Sequence, residues 1–183
     1  MNHRYILRSI LMDFQDAGEK DLRAAEIGVY HGETSEALLA HVSELSMLLV
    51  DPFQDVFGSG DKYSELYITD PAEDLQFLRR RMAPYIEAGR ATIIASPSVH
   101  AASWISNASL HLVFIDGDHS EEAVLQDIKA WVPKVRPGGI IAGHDYIPYQ
   151  VWGAAKHSED SEDVSPRDAS WQSTPSAGSV AAA

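Results

Sequence analysis

Five short, predominantly apolar runs constrain the fold of this chain more than any other feature of its sequence. They occupy residues 22–29, 47–50, 91–95, 110–115 and 139–142. Runs of this length without a regular alternation of polar residues are typical of strands that are buried on both faces. The sequence therefore predicts a sheet that is covered by other elements on both sides.

Segments with helical spacing lie between these runs. One helix begins with Asp70 as its N-cap, Pro71 at its first position and Glu73 completing a capping box. Its predicted apolar face consists of Leu75, Leu78, Met82 and Ile86. Further helices are predicted over residues 4–17, 33–43 and 98–107 and around Val124, Ile128 and Trp131. Strands that alternate with helices predict parallel pairing through crossovers, and hence an α/β fold of three layers.

The composition of the chain changes once, near Gly153. Residues 1–153 carry the strand and helix patterns and are predicted to form one domain, whereas residues 154–183 are rich in Ser, Ala, Asp and Glu. A segment with so few large aliphatic residues buries too little surface to offset its ordering entropy. We therefore expect residues 154–183 to be a low-complexity, disordered tail.

Charge and hydropathy exclude several classes of partner. The chain has 27 acidic and 14 basic residues, a formal net charge of -13, which would repel a nucleic-acid backbone. No apolar run approaches the roughly 20 residues that cross a bilayer, and the first residues do not resemble a signal peptide. We expect a cytoplasmic protein with neither nucleic-acid nor membrane partners. The absence of Cys excludes thiolate nucleophiles and cysteine-ligated metals.

Two acids and two glycines stand at or just after the carboxyl ends of the first two predicted strands, where ligands bind in sheets of this type. After Glu26, Gly28 lets the backbone approach a ligand, and Gly32 opens a helix whose first amides can face an anion. Asp51 ends the second strand and could accept hydrogen bonds from ribose hydroxyls. The spacing lacks the G-x-G-x-x-G pattern of nicotinamide dehydrogenases and so disfavours that class. Each motif alone is also compatible with an ordinary turn.

The fourth and fifth strands end in acids and imidazoles. Asp116 and His119 follow the fourth strand, and Ser120 is best interpreted as the N-cap of the next helix. His144 and Asp145 follow the fifth strand. Such groups are costly at a buried strand end unless a cation or a substrate uses them. Asp116, His144 and Asp145 could hold Mg²⁺, Mn²⁺ or a later transition metal, although a turn histidine and a cap are the alternative.

Four motifs, in this order, resemble a known family: E-I-G-V-Y-H-G-E-T-S, L-L-V-D-P-F, L-V-F-I-D-G-D-H-S and V-R-P-G-G-I-I-A-G-H-D-Y. They are similar to the class I S-adenosylmethionine-dependent methyltransferases, in particular to short bacterial domains related to the metal-dependent catechol and caffeoyl-CoA O-methyltransferases. The resemblance covers about residues 20–150. It implies a Rossmann-like fold, S-adenosylmethionine as cofactor, and a methyltransferase activity.

The resemblance also implies roles for individual residues at the first three strand ends. Glu26, Gly28 and Gly32 are expected along the methionine part of the cofactor, and Asp51 at its ribose. Ser96, after the third strand, is expected near the adenine.

At the other two strand ends the resemblance implies acid–base and metal chemistry. Asp116 is expected to border the cofactor and matches the first metal-ligand Asp of the catechol-type enzymes. His144 and Asp145 stand where those enzymes carry an Asp-Asn metal pair, and His119 stands where they carry a lysine base. These departures leave both the identity and the presence of the metal open. His119 is the predicted catalytic base, because an imidazole accepts a proton near neutral pH. His31 is a weaker candidate and is expected to face solvent.

The predicted acceptor is a small hydroxylated molecule, a sugar or a secondary metabolite. The long connection over residues 53–69, with its aromatic side chains, is the expected acceptor loop. The family fold usually ends with two further strands, and nothing after Tyr149 provides them. Either these C-terminal strands are shortened or missing, or a partner chain, as in a homodimer, completes the sheet. The alternative function is a cofactor-binding or assembly module that lacks turnover.

Overall fold

The computed structural model describes residues 3–54 and 70–145 of the chain. The strands in these ranges are β1 (Leu22–Ile27), β2 (Leu45–Asp51), β3 (Ala91–Ala95), β4 (Leu110–Ile115) and β5 (Val135–Gly143). The α-helices are α1 (His3–Asp16), α2 (Glu33–His41), α3 (Pro71–Glu87), α4 (Ser98–Ser103) and α5 (Glu121–Trp131), and a 3₁₀ turn spans Val132–Lys134. The α/β alternation predicted from the sequence is confirmed.

All strand pairs are parallel, and the strands are arranged in the order β3-β2-β1-β4-β5. The chain passes outward from β1 to β3 on one side and returns to place β4 on the other side of β1. The strand order therefore reverses between β1 and β4. In open parallel sheets, the crevice for ligands lies beyond the carboxyl ends of the strands at this position.

Two hydrophobic clusters cover the two faces of the sheet. One joins α1, α2 and α3 to the sheet through large side chains such as Leu11, Leu38 and Leu78. The other joins α4 and α5 to the opposite face, with Trp131 fully buried at its centre. Alternate residues of β1 enter different clusters, because successive side chains of a strand point to opposite faces. The predicted three-layer, Rossmann-like sandwich is thus present.

The helix starts follow their sequence signals. The Asp70 carboxylate accepts a hydrogen bond from the Ala72 amide at 2.8 Å, and the Ser120 hydroxyl accepts one from Ala123 at 3.3 Å. The predicted apolar faces were less accurate. Ile86 and Ile128 are exposed, whereas the carboxyl-bearing Asp74 and Asp127 are buried in their helices. Periodicity alone did not anticipate these two acids, because each is held by tertiary contacts.

The segment Pro137-Gly138-Gly139 follows α5 and belongs to β5. The β4–β5 register shifts there, with Leu110 opposite Val135 but Leu112 opposite Ile140. A shift of this kind accommodates extra residues in one strand and tolerates a proline that has no amide hydrogen to donate.

Several predictions concern residues beyond the described ranges. They are the expected acceptor loop, of which the structure describes only residues 53 and 54, the tail over residues 154–183, and the shortened or missing C-terminal strands. These stay predictions. Within residues 3–54 and 70–145, no helix is both long enough and apolar enough to cross a membrane.

Candidate functional site

The strand register brings distant parts of the sequence to one edge of the sheet. Ile27, at the end of β1, lies opposite Val50 of β2 and Ile115 of β4, and Ile115 lies opposite Gly143 of β5. The residues that directly follow these positions are Gly28, Asp51, Asp116 and His144. They therefore share the carboxyl edge, where a ligand crevice is expected.

Gly28 and Asp116 are in direct contact at the reversal of strand order. A Cβ atom on Gly28 would lie 2.3 Å from the Asp116 carbonyl oxygen and 2.5 Å from the Gly117 Cα. Gly28 also has a φ of +82°, in the left-handed region that favours glycine. A residue with a side chain would fit here only if the backbone of Asp116 and Gly117 moved. At this position the edge of the sheet therefore consists of backbone atoms.

The loop between β1 and α2 is anchored by Asp51. One oxygen of this carboxylate accepts hydrogen bonds from the amides of Val29 and Tyr30, both at 3.0 Å, and the other accepts from Phe53 at 2.8 Å. An ionised carboxylate has about four acceptor positions, and three are taken here. Asp51 thus holds the loop in shape, a role that sequence reasoning did not anticipate. Its contact with a ribose stays a prediction.

Gly32 places the start of α2 against α3. It is the N-cap of α2, has a φ of +76°, and would bring a Cβ to 2.4 Å from a methyl carbon of Leu78. Within the described residues, no side chain caps this helix. An anionic group near the first amides of α2 would be favoured, because the start of a helix carries a partial positive charge.

Glu26 is the buried acid of the site. Its side chain is only 2% exposed and is hydrogen-bonded by the Ser35 hydroxyl of α2. Burial raises the pKa of Glu26 to about 8, and the negative charge of Asp116 acts in the same direction. Glu26 therefore carries a proton at neutral pH, and a cation bound beside it would favour its ionised form.

Asp116 is approached by two imidazoles at the same oxygen. His144 Nδ1 lies 3.3 Å from Asp116 Oδ1, and His119 Nε2 lies 3.5 Å from it. Half of the His119 side chain is exposed. The structure thus brings together three of the residues that the sequence assigned to base and metal chemistry.

The fit of this cluster to a metal ion is incomplete. Within residues 3–54 and 70–145, no three acidic or imidazole side chains are arranged to hold one. Asp145 directly follows His144 and has a φ of +52°. The assignment of Asp116, His144 and Asp145 as metal ligands stays a prediction, as does that of His119 as base.

Ser96 lies beside the end of β2. Its amide donates to the Asp51 carbonyl at 3.1 Å, and the residue is buried. The β3 end is thereby joined to the same edge, although it is separated from β4 by two strands. The placement of an adenine near Ser96 stays a prediction.

Two basic residues of α1 lie at the site and were not predicted there from the sequence. His3 lies 3.0 Å from the Thr34 hydroxyl of α2, and its ring contacts His144 with a centroid distance of 4.5 Å. Arg4 pairs with Glu33 in the first turn of α2. Nothing in the local sequence distinguishes these residues from the polar face of an ordinary helix, because only the packing of α1 against α2 brings them here.

His31 is less exposed than expected. Its side chain is 26% exposed and its Nε2 lies 2.7 Å from Oδ1 of Asp74 in α3. The Asp74 partner could not be found from the sequence, since its position in the first turn of α3 is also typical of an acid that interacts with the helix dipole.

Known structures share this architecture at low sequence identity. A caffeoyl-CoA O-methyltransferase-like protein from Staphylococcus aureus is 13% identical with a TM-score of 0.55, over 87% of this chain and 72% of that protein. A precorrin-6y C5,15-methyltransferase from Geobacter metallireducens is 15% identical with a TM-score of 0.55, over 86% and 69%. An rRNA methylase from Streptococcus thermophilus is 9% identical with a TM-score of 0.52, over 86% and 78%. These likenesses concern the fold, and the three proteins are named for different acceptors.

A family model described as a methyltransferase domain matches residues 25–146. This range begins within β1 and includes every strand end of the candidate site. With the parallel sheet and its reversal between β1 and β4, it confirms the relationship inferred from the four motifs. The chain belongs to this methyltransferase family and is a class I S-adenosylmethionine-dependent methyltransferase.

Proposed function

We propose that the chain transfers the methyl group of S-adenosylmethionine to an oxygen atom of a small hydroxylated acceptor. One observation carries this proposal. The β1–α2 loop, which Asp51 holds, and three imidazoles lie at the same edge of the sheet, formed by β1, β2, β4 and β5. His3, His119 and His144 all lie there, around or beside Asp116. A hydroxyl needs a proton acceptor to become a good nucleophile, and imidazoles are suited to that task near neutral pH.

The acidic side of the crevice suits a cationic donor. S-adenosylmethionine carries a positive sulfonium and a positive ammonium group, and Glu26 and Asp116 offer carboxyl groups at the reversal of strand order. The β1–α2 loop is held by hydrogen bonds from its Val29 and Tyr30 amides to the Asp51 carboxylate. Because methyl transfer depends mainly on alignment of donor and acceptor, a loop held in shape by the chain's own hydrogen bonds favours the reaction.

A metal ion at Asp116, His144 and Asp145 is part of the proposal. If bound, it would supply a positive charge that lowers the pKa of the acceptor hydroxyl. The imidazole ligand favours Mn²⁺ or a later transition metal over Mg²⁺. The proposal does not require the ion, since an imidazole at this edge can accept the proton without it.

The acceptor class follows from charge. A net charge of -13 disfavours polyanionic acceptors, so we propose a sugar or a secondary metabolite rather than a nucleic acid. A cytoplasmic location and assembly as a homodimer belong to the same proposal.

Calorimetry with S-adenosylmethionine tests the first step. We expect micromolar binding by the wild-type chain and at least about 30-fold weaker binding by Asp51→Ala, because three backbone amides lose their acceptor. Asp13→Ala, at an exposed position of α1, is the matched control and should bind normally. Absence of binding by well-folded wild-type protein would remove the proposal.

Radiolabelled methyl transfer tests the second step. The acceptors are catechols, simple phenols and monosaccharides, each measured with and without Mg²⁺ or Mn²⁺. Labelled product supports the proposal. A chain that binds S-adenosylmethionine and methylates none of these acceptors would instead be a cofactor-binding or assembly module.

A further inference from the structure

The imidazole of His31 is held with its two nitrogen atoms in different surroundings. Nε2 lies 2.7 Å from the Asp74 carboxylate, which is buried in the first turn of α3. A carboxylate only accepts hydrogen bonds, so the hydrogen of the neutral imidazole resides on Nε2. Nδ1 then keeps its lone pair and is the basic nitrogen of the ring.

Both faces of this ring are covered. The Tyr30 ring stacks on it at a centroid distance of 3.7 Å and an interplanar angle of 10°, and the Phe77 ring lies at 4.4 Å. Two rings this close would overlap if they shared one face, so they cover opposite faces. Nε2 lies against Asp74, and 26% of the side chain remains exposed. In the part of the chain that the structure describes, no group is hydrogen-bonded to Nδ1.

The backbone of His31 is also held by a hydrogen bond. Arg81 of α3 donates a hydrogen bond to the His31 carbonyl at 2.9 Å, and its guanidinium lies over the Phe77 ring. The preceding amides of the loop are held by Asp51. A catalytic group needs this kind of support from the residues around it in order to keep a productive geometry.

His119, the base predicted from the sequence, lies farther from its carboxylate partner than His31 does. Its side chain is half exposed, and its Nε2 lies 3.5 Å from an Asp116 oxygen that His144 also approaches. The Nε2 of His31 instead lies 2.7 Å from its carboxylate partner, Asp74.

We propose that His31, oriented by Asp74, is the general base of the methyl transfer; this inference rests on the proposed function. As the acceptor oxygen bonds to the methyl carbon, the carbon–sulfur bond breaks and its electron pair stays on the sulfur. The hydroxyl proton passes to Nδ1, so one positive charge disappears from the sulfonium and one appears on the imidazole. Asp74 stabilises that imidazolium and acts as a positioning residue.

Other charged groups also surround this ring. Arg81 from α3 faces its carbonyl side, and Glu33 from α2 interacts with its charge. Glu36 of α2 pairs with Arg81 at 3.3 Å, which offsets the guanidinium charge near the imidazole. Asp74 is the ionic partner that lies against the ring, with its Oδ1 at 2.7 Å from Nε2.

The role of His31 as general base can be tested by steady-state kinetics, with an acceptor that the wild-type chain methylates. We expect His31→Gln to lower kcat by about 10²- to 10⁴-fold, while the Kd for S-adenosylmethionine stays within about threefold. Asp74→Asn should lower kcat by at least about tenfold with KM unchanged, which a purely structural contact would not do. His41→Gln is the matched control, because His41 is an exposed histidine in the last turn of α2.

Nitrogen NMR of the ¹⁵N-labelled protein gives a readout besides activity. We expect His31 to show the tautomer with hydrogen on Nε2, identified by the loss of its signals in His31→Gln. The opposite tautomer, or a kcat for His31→Gln within about threefold of wild type, would overturn the inference. Wild-type protein that methylates no acceptor would refute the proposed function itself, and this inference with it.

Discussion

The raised pKa of Glu26 predicts an unusual dependence of stability on pH. Burial raises this pKa from 4.5 to about 8 in the folded chain, whereas in the unfolded chain the carboxyl group titrates near its ordinary value. Between these two pH values the unfolded chain loses the proton and the folded chain keeps it. The free energy of unfolding must therefore fall as pH rises through this interval, and Glu26 should have no such effect below pH 4.5.

The magnitude follows from the width of the interval. Each pH unit contributes about 1.4 kcal/mol, so the interval from 4.5 to about 8 amounts to about 5 kcal/mol. Glu26→Gln keeps an acceptor for the Ser35 hydroxyl but cannot ionise. The stability of this variant relative to wild type should rise with pH across the interval and level off above about pH 8.

Urea unfolding followed by circular dichroism at several pH values from 4 to 9 measures this difference. Glu44→Gln, at an exposed position before β2, is the control and should differ from wild type by less than about 0.5 kcal/mol throughout. The test is the change with pH of the difference in unfolding free energy between Glu26→Gln and wild type. A difference that is constant with pH can arise from the extra amide hydrogen of Gln. Parallel curves for Glu26→Gln and wild type would refute the reasoning.

Two further predictions concern the same edge of the sheet. Gly28→Ala should destabilise the fold by several kcal/mol and abolish S-adenosylmethionine binding, since its Cβ would lie 2.3 Å from the Asp116 carbonyl oxygen; thermal unfolding and calorimetry measure both. Gly117→Ala, whose Cβ would meet nothing closer than 3.8 Å, is the control, and equal losses in the two variants would contradict the steric argument. Binding of S-adenosylmethionine at neutral pH should also release a proton from Glu26, because the positive groups of the ligand favour the ionised carboxylate. Calorimetry in phosphate and in Tris would show this as different apparent enthalpies, and equal enthalpies would exclude it.

The fold was predictable because its signals are local. Apolar runs of strand length, a proline at the first position of α3 and the caps Asp70 and Ser120 each act within a few residues. The positions of Glu26 and Asp51 at strand ends could be predicted for the same reason. The apolar faces of α3 and α5 were predicted less well, because buried acids replace aliphatic residues there.

The candidate site depends on contacts that have no local signal. Asp74 is 43 residues from His31 and Thr34 is 31 residues from His3, yet each pair is within hydrogen-bonding distance. The sequence suggested that Asp51 faces a ribose, and only the tertiary structure showed that it also binds the backbone of the β1–α2 loop.

By itself, the sequence determined the α/β class of the fold, the family and the strand ends at which reactive side chains would stand, since periodicity, capping and short motifs act over neighbouring residues. The tertiary structure decided which of those side chains share a carboxylate, which are buried and which nitrogen of an imidazole lies against an acid. Such relations depend on the order of the strands and the packing of helices against them. Hydrogen bonding and desolvation respond to distances in space, which the spacing of residues along the chain does not specify.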